Sequence, residues 1–249
     1  MASSSSSESG DPEPACPPPA WAADIVAEAR VHCGRSVYPP SDDTFLLLEA
    51  LAEDSQRLRA MRPGICLEIG SGTGTLLAGL WEVLRGSSII AKAGHSSAPP
   101  APMPLLFAVD KNPDAVACTE ALLRARGAPL AAAVRASLTS CLRLGALVDV
   151  GLCNPPYVPT EDPEEMRSCG IEASWAGGER GREVIDRLLP RIPALLAPGG
   201  LFYLVCVAEN KPHEILSEVS GYGLRAEVVR QEVRGIEELF VLRFERAER

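Results

Sequence analysis

A short apolar run followed by closely spaced glycines is the feature that most restricts how this chain can fold. Residues 65–69, Ile-Cys-Leu-Glu-Ile, have the pattern of a buried strand and lead into Gly70-Ser71-Gly72-Thr73-Gly74, after which residues 75–84 are helix-like. This order lets backbone approach a nucleotide-like ligand above a helix N-terminus. The G-x-G-x-G spacing lacks the third glycine of the dinucleotide fingerprint. It therefore disfavours NAD and favours another adenosine-bearing cofactor, although a glycine loop alone is a weak signal.

A second apolar run ends in an acid. Residues 105–109 form the run, and Asp110 follows it. An acid at the tip of the second strand of such a fold can accept both hydrogen bonds of a ribose diol. On local sequence alone, an acidic cap for the helix that begins near Pro113 is an equally good explanation. The glycine loop favours the ribose interpretation.

A third feature is the tetrapeptide Asn154-Pro155-Pro156-Tyr157, called the NPPY turn below. It follows residues 148–153, an apolar run that predicts a buried strand. Open α/β sheets bind their ligands at the ends of such strands. Asn-Pro and Pro-Pro are also ordinary turn formers, so the local sequence does not separate a plain turn from a site.

The remaining elements complete an α/β pattern in which strands and helices alternate. Residues 44–60 predict one helix with an apolar face at Phe45, Leu48 and Leu51, which Ser41, Asp42 or Asp43 can cap. The other predicted helices are 21–30, 112–126, 182–196 and 210–220, and the other predicted strands are 131–136, 201–207, 224–233 and 238–245. Right-handed crossovers make this a parallel, doubly wound sheet whose last strand is antiparallel.

Composition bounds the domain organisation. The 249 residues are sufficient for one substantial core, and we predict a single domain over 21–249 after a disordered Ser- and Pro-rich tail at 1–20. Residues 86–104 read as a mobile surface insertion. The longest apolar run is too short to span a bilayer, and the basic and apolar segments of a targeting peptide are missing, so we expect a cytoplasmic or nuclear protein.

Charge and cysteine usage exclude further classes. A net charge of −9 argues against a protein that binds mainly to nucleic-acid phosphates. The eight cysteines include no C-x-x-C pair and the three histidines are far apart in the chain, so we expect free thiols in a reducing compartment and no metal site.

Together the motifs resemble class I S-adenosylmethionine-dependent methyltransferases that methylate amino groups. The segments at 38–48, 170–178 and 181–187 are similar to the eukaryotic and archaeal branch of the HemK family, the release-factor glutamine methyltransferases. The resemblance covers about residues 38–244 and implies a Rossmann-like seven-stranded methyltransferase sheet. It also implies that S-adenosylmethionine is held by Thr44, Glu68, Gly70, Ser71, Gly72, Asp110, Ser137, Leu138 and Asn154.

This chain departs from the family pattern at two places. The tip of the third strand normally offers an acid to the adenine amino group, and here that position is Ser137. A hydroxyl can still form a hydrogen bond but carries no charge, so we expect weaker cofactor affinity. The insertion at 86–104 is the second departure, and we expect little effect from it.

The resemblance assigns catalysis to Asn154, Pro155, Pro156 and Tyr157. An amide nitrogen is a poor nucleophile, so two acceptors aimed at its N–H groups would orient it and stabilise the developing positive charge. The side-chain oxygen of Asn154 and the carbonyl of Pro155 can supply them. The prolines remove competing donors, and Tyr157 offers an aromatic wall.

The implied substrate is the glutamine amide of the Gly-Gly-Gln motif in a translation termination factor. A histone lysine, DNA adenine N6 and a non-enzymatic cofactor-fold binding protein remain as alternatives, of which the acidic chain disfavours DNA. The family also implies a small zinc-binding activator protein. The weak strand at 131–136 is our candidate for its contact, as an edge that buries little area of its own.

Overall fold

The computed structural model of the protein describes residues 14–86, 103–140, 142–143, 145–161 and 171–248. At its centre is a seven-stranded sheet in the order β3-β2-β1-β4-β5-β7-β6. The strands are β1 Ile65–Ile69, β2 Leu105–Asp110, β3 Ala131–Arg135, β4 Val148–Cys153, β5 Leu196–Val207, β6 Leu224–Arg234 and β7 Glu237–Arg246.

The strand directions confirm the predicted topology. Strands β1 to β5 run parallel to one another, whereas β7 lies antiparallel between β5 and β6. Strand order reverses between β1 and β4, which pair through Ile69 and Cys153 at their carboxyl ends. Chain crossovers leave this point in opposite directions, and a ligand crevice forms outside the strand ends at such a switch point. The glycine loop and the NPPY turn follow these two strands directly.

Eight α-helices surround the sheet in the described part of the chain. They are α1 Ala23–His32, α2 Asp42–Glu53, α3 Ser55–Met61, α4 Thr75–Arg85, α5 Pro113–Ala125, α6 Glu183–Leu188, α7 Ile192–Leu195 and α8 Pro212–Gly221. Helix α4 contacts α1, α2, α3 and α5, which form one layer, while α8 packs on β6 and β7. Right-handed crossovers running both ways from β1 and β4 put the two groups on opposite faces. None of the described helices is long and apolar enough to cross a membrane.

The predicted helix at 44–60 is two helices. It is interrupted at Asp54, whose carboxylate accepts a hydrogen bond from the Tyr203 hydroxyl at 2.6 Å and pairs with Arg243 on the sheet. Helix α2 also buries more than the predicted stripe, because it packs against α4 on one side and against the β5–β7 region on the other. Leu46 and Leu47 are therefore as buried as Phe45.

The predicted helix at 182–196 was wrong as a continuous element. Helices α6 and α7 are separated by a 3-10 turn at Leu189–Arg191, because Pro190 and Pro193 cannot donate backbone hydrogen bonds. Strand β5 also begins earlier than residue 201. Leu196 pairs with Val148, and an irregularity follows before regular pairing resumes at Leu201.

The cysteines differ in part from expectation. Cys33 and Cys118 are joined by a disulfide, because the end of α1 lies against α5 and brings their Cα atoms to 5.4 Å. The expectation of free thiols is thus wrong for this pair. The free cysteines of the described residues are Cys16, Cys66, Cys153 and Cys206.

The predicted tail and insertion fall largely outside the described residues, which omit 1–13 and 87–102. The domain division at residue 20 therefore stays a prediction. Within the described part, the backbone N–H groups of Ala15 and Cys16 donate to the carboxylate of Asp42 at 2.7 and 2.9 Å. This contact places the chain before residue 20 against the start of α2.

Candidate active site

The glycine loop and the NPPY turn meet at the carboxyl ends of β1 and β4. A Cβ added to Gly70 would lie 3.9 Å from the main-chain oxygen of Asn154, so the two motifs are in direct contact. Gly70, Gly72 and Gly74 have φ values of 74°, 50° and 79°. These left-handed conformations favour glycine and turn the chain from β1 into α4.

The loop is open on one side and tightly packed on the other. A Cβ at Gly72 would meet no described atom within 4 Å, whereas one at Gly74 would come within 2.9 Å of the Cα of Thr119 in α5. The Thr119 hydroxyl also donates to the Oγ of Ser71 at 2.9 Å. Helix α5 therefore fixes the base of the loop and leaves its upper edge accessible to a ligand.

Asp110 at the end of β2 belongs to this site. Its carboxylate accepts the backbone N–H of Gly72 at 2.9 Å and that of Asn112 at 2.8 Å. The alternative role, capping α5, is taken by Asn112, whose side chain accepts the N–H of Asp114 at 2.9 Å. A carboxylate has about four lone-pair positions, so Asp110 keeps acceptor capacity for a diol.

Glu68 is a buried acid of β1, beneath the glycine loop. Its carboxylate accepts the N–H of Leu77 in the first turn of α4 at 3.1 Å. Burial raises the pKa of Glu68 well above its ordinary value, while the hydrogen bond from Leu77 opposes the shift and the charge of Asp110 adds to it. The observed hydrogen bond of this acid is thus with α4, the helix that follows the glycine loop.

The tip of β3 presents Ser137 to solvent, and Leu138 beside it is half-buried. Leu138 has φ 51°, a left-handed conformation that is uncommon for a residue with a branched side chain. This turn follows β3, so Ser137, the predicted adenine contact, lies at the same end of the sheet as Asp110.

Asn154 carries an orphaned acceptor. Its Nδ2 donates to Oδ2 of Asp43 at 2.9 Å. Its Oδ1 is buried and has no hydrogen-bond partner among the described residues. Buried polar atoms are almost always satisfied, so an unsatisfied one at the carboxyl end of β4 needs an explanation such as a missing ligand.

Asp43 is the site residue that the sequence interpretation missed, since it was considered only as a helix cap. It is 8% exposed, and it also accepts the Tyr157 hydroxyl at 3.1 Å. Burial, followed by the charges of Asp43 and Glu237, raises the pKa of Tyr157, so its phenol stays a neutral donor. An acid just before the apolar run at 45–48, in the first turn of α2, was the available signal.

Hydrogen bonds to Tyr157 and to Val158, the residue that follows the NPPY turn, hold the turn in place. Val158 forms a parallel bridge with Ala176, and Gly177 donates to the Val158 carbonyl at 2.8 Å. Asn210, which is fully buried, donates its Nδ2 to the Tyr157 carbonyl at 2.9 Å. These partners come from residues 175–178, Trp-Ala-Gly-Gly, and from the 3-10 turn Ala208–Asn210 that follows β5.

Aromatic and acidic side chains surround the turn. The rings of Tyr38 and Trp175 meet edge to face, with centroids 6.2 Å apart. Burial, then the charges of Asp43, Glu209 and Asp42, raise the pKa of Glu237 at the start of β7.

Across the described ranges, no group of three or more His, Cys, Asp or Glu residues is placed to hold a metal ion.

Comparisons with known proteins point to one family. The chain is 40% identical over 218 residues to methyltransferase HEMK2 of Homo sapiens, covering 86% of this chain and 93% of that protein. It is 31% identical over 227 residues to the eRF1 methyltransferase catalytic subunit mtq2 of Schizosaccharomyces pombe, covering 89% and 94%. No family model matches the chain.

Solved structures agree with these similarities. The structure of the E. cuniculi Mtq2–Trm112 complex, described as responsible for methylation of the eRF1 translation termination factor, has a TM-score of 0.59. It is 25% identical and covers 85% of this chain and 99% of that one. A T. thermophilus 16S rRNA N2 G1207 methyltransferase, at 20% identity and TM-score 0.57 over 83% of this chain and 43% of that one, shares the fold.

Proposed function

This chain belongs to the HEMK2/Mtq2 family of methyltransferases, and from that premise we propose that it methylates a glutamine side-chain amide in a translation termination factor. It is an S-adenosylmethionine-dependent enzyme. The proposed substrate follows from the relatives whose names specify eRF1 or protein glutamine as the target. Translation termination is cytoplasmic, so we propose that compartment as its place of action.

The residues present fit the cofactor. The upper edge of the glycine loop is open at Gly72, and Asp110 retains acceptor capacity beside it. We assign the nucleoside to Asp110, Ser137 and Leu138, and the rest of the cofactor to the glycine loop and Thr44. When bound, the sulfonium supplies a methyl group that is already activated.

The observation that carries the proposal is the orphaned Oδ1 of Asn154. A primary amide presents two N–H donors in one plane, and a buried acceptor without a partner in the described chain meets that need. Accepting one N–H fixes the amide nitrogen in line with the methyl donor. The same contact stabilises the positive charge that develops on nitrogen as it gains the methyl group.

The other turn residues complete the acceptor pocket. The Pro155 carbonyl is the proposed acceptor for the second N–H, and neither Pro155 nor Pro156 has a backbone N–H to compete. The ring of Tyr157 forms a wall, and its hydroxyl donates to Asp43. The methylated amide is a strong acid, so its surplus proton can leave to water without a dedicated base.

We also propose that a small zinc-binding activator protein binds the free edge of β3. Within the described chain β3 pairs only with β2, and the preceding Leu130 is 50% exposed. An open edge next to an exposed apolar side chain suits strand addition by a partner. If the chain expressed alone were soluble, monomeric and fully active, the proposal of an activator protein would be wrong.

The test is a methyl-transfer assay with the chain and its activator co-expressed. The compared acceptors are a termination-factor domain carrying Gly-Gly-Gln, the same domain with Gln replaced by Glu, a histone tail and duplex DNA. We expect transfer to the Gln domain alone. Asn154→Ala should abolish transfer while calorimetry still detects cofactor binding. Preferred transfer to the histone tail or DNA would overturn the proposed substrate.

A further inference from the structure

Asp43 has every acceptor position of its carboxylate occupied. Oδ1 accepts the backbone N–H of Thr44 at 2.6 Å and the Thr44 hydroxyl at 3.2 Å. Oδ2 accepts Nδ2 of Asn154 at 2.9 Å and the hydroxyl of Tyr157 at 3.1 Å. A carboxylate offers about four lone-pair positions, so these four donors fill it. Asp43 thus has no position left to take a proton from a substrate.

The contact with Asn154 determines which end of that amide faces the crevice. An ionised carboxylate only accepts hydrogen bonds, so it must face the NH2 end of the side chain. Rotation of the amide by half a turn would bring Oδ1 against the carboxylate and present NH2 to the substrate. A donor would then face the donors of a substrate amide, and both contacts would be repulsive.

The carboxylate also strengthens the acceptor that it orients. A negative charge hydrogen-bonded to the NH2 group draws the amide toward its charge-separated resonance form, which puts more negative charge on Oδ1. Hydrogen bonds to ionised groups are stronger than neutral ones, and the site is buried. The charge of Asp43 is therefore transmitted through Asn154 to the position where the substrate nitrogen becomes positive.

The fold holds Asp43 rigidly. Arg234, at the end of β6, donates to the main-chain oxygen of Asp42 at 3.1 Å and pairs with Glu49 of α2 at 2.7 Å. The guanidinium itself is almost fully buried. It anchors the first turn of α2 to the β6–β7 hairpin, and with it the carboxylate that contacts the NPPY turn.

We propose that Asp43 is a positioning residue that fixes the orientation of the Asn154 amide and increases the charge on its oxygen. This inference deepens the proposed function and rests on it for its kinetic test. Asp43→Asn should lower kcat about 100-fold, the scale seen when one preorganised electrostatic contact is removed. Asp43 also accepts from Thr44, an assigned cofactor residue, but the nucleoside contacts at Asp110, Ser137 and Leu138 are unchanged, so the Kd for the cofactor should change far less than kcat.

An exchange of the two side chains separates orientation from general structural damage. Asn154→Asp alone puts two carboxylates in contact and should also lower kcat. In the double variant Asp43→Asn/Asn154→Asp, Asn at 43 can donate to the new carboxylate, whose second oxygen still faces the substrate. We expect kcat at least about 10-fold above that of Asp43→Asn, since contacting residues are non-additive. The proposal would be overturned if the kcat of the double variant fell by the product of the two fold-losses measured for the single variants.

A matched control and a substrate-free readout complete the test. Asp42→Asn removes the neighbouring carboxylate, whose partners are the N–H groups of Ala15 and Cys16, and should keep wild-type kcat. In a 15N spectrum the side-chain amide of Asn154, assigned by its loss in Asn154→Ala, should move when Asp43 becomes Asn. That shift reports the contact between Asp43 and the Asn154 amide even if wild type transfers no methyl group, which would refute only the proposed function. An unmoved resonance would overturn the inference.

Discussion

The Cα of Gly181 lies directly against the main-chain carbonyl of Tyr157, so closely that a Cβ at position 181 would come within 1.8 Å of that oxygen. The same Cβ would lie 2.5 Å from Nδ2 of Asn210, which donates to this carbonyl. Gly181→Ala must therefore displace the NPPY turn or the segment that supports it. We expect more than a 10-fold loss of methyl transfer, about the effect of a misplacement at a catalytic contact.

Gly127→Ala provides the matched control for this substitution. Gly127 has φ 68°, almost the same as the 67° of Gly181, but a Cβ there would meet no described atom within 4 Å. Both variants carry the cost of a left-handed alanine, about 1–2 kcal/mol. Urea unfolding and steady-state kinetics on the two proteins separate that cost from the clash. Equal activities would show that the contact with Tyr157 is not needed for catalysis.

Much of the site could be predicted because its signals are local. The strand, glycine loop and helix at 65–85 are adjacent in sequence, and so are β4 and the NPPY turn. Since parallel strands end at the same edge of a sheet, the two motifs had to lie near one another. The contact of Gly70 with Asn154 follows from that rule.

What the sequence did not reveal depends on contacts between distant segments. Asp43 reaches Asn154 across 111 positions, and local chemistry offers only the role of a helix cap for such a residue. The break in the predicted helix at 44–60 has the same origin, because Tyr203 and Arg243 draw Asp54 to the sheet. Periodicity reports which face is apolar and carries no information about these polar partners.

Ser137→Asp tests the departure from the family pattern at the tip of β3. Ser137 is exposed and follows β3 at the end of the sheet that holds Asp110. A carboxylate there would add a charge-assisted acceptor for the adenine amino group. We expect the Kd for S-adenosylmethionine to fall about 10-fold by calorimetry. An unchanged Kd would show that the serine is not responsible for weak binding.

Asp110→Asn should weaken the cofactor site through the glycine loop as well as through the ribose. In wild type both carboxylate oxygens accept backbone N–H groups, from Gly72 and Asn112. An amide of the same shape must turn its NH2 toward one of these donors. We expect the Kd for S-adenosylmethionine to rise at least about 10-fold.

The control for Asp110→Asn is Asp114→Asn, which removes a nearby acid from the first turn of α5. Its carboxylate accepts from the hydroxyl of Ser36 on the surface. Calorimetry should therefore give a nearly unchanged Kd for this variant. If both variants bound the cofactor equally weakly, cofactor affinity would depend on negative charge near α5 and not on the specific hydrogen bonds of Asp110.

Glu68→Gln tests the buried acid beneath the glycine loop through the pH dependence of stability. Burial raises the pKa of Glu68 above its ordinary value of 4.5 in the folded protein. The folded state therefore resists ionisation of this group. Protonated Glu68 therefore stabilises the folded protein. This contribution to the free energy of unfolding is fully present below the pKa of Glu68 in the unfolded chain, and it is lost as the pH rises through the pKa of Glu68 in the folded protein.

The variant should reverse this loss. Glutamine cannot ionise, and its oxygen can still accept the N–H of Leu77, so the hydrogen bond is retained. Urea unfolding from pH 4 upward, roughly where an unfolded glutamate titrates, should show the wild type losing stability relative to Glu68→Gln as the pH rises. Glu120→Gln, which changes an exposed glutamate of α5, should produce no such trend. A difference between wild type and Glu68→Gln that stayed constant with pH would mean that Glu68 ionises without cost in the folded protein, and that its burial does not disfavour the charge.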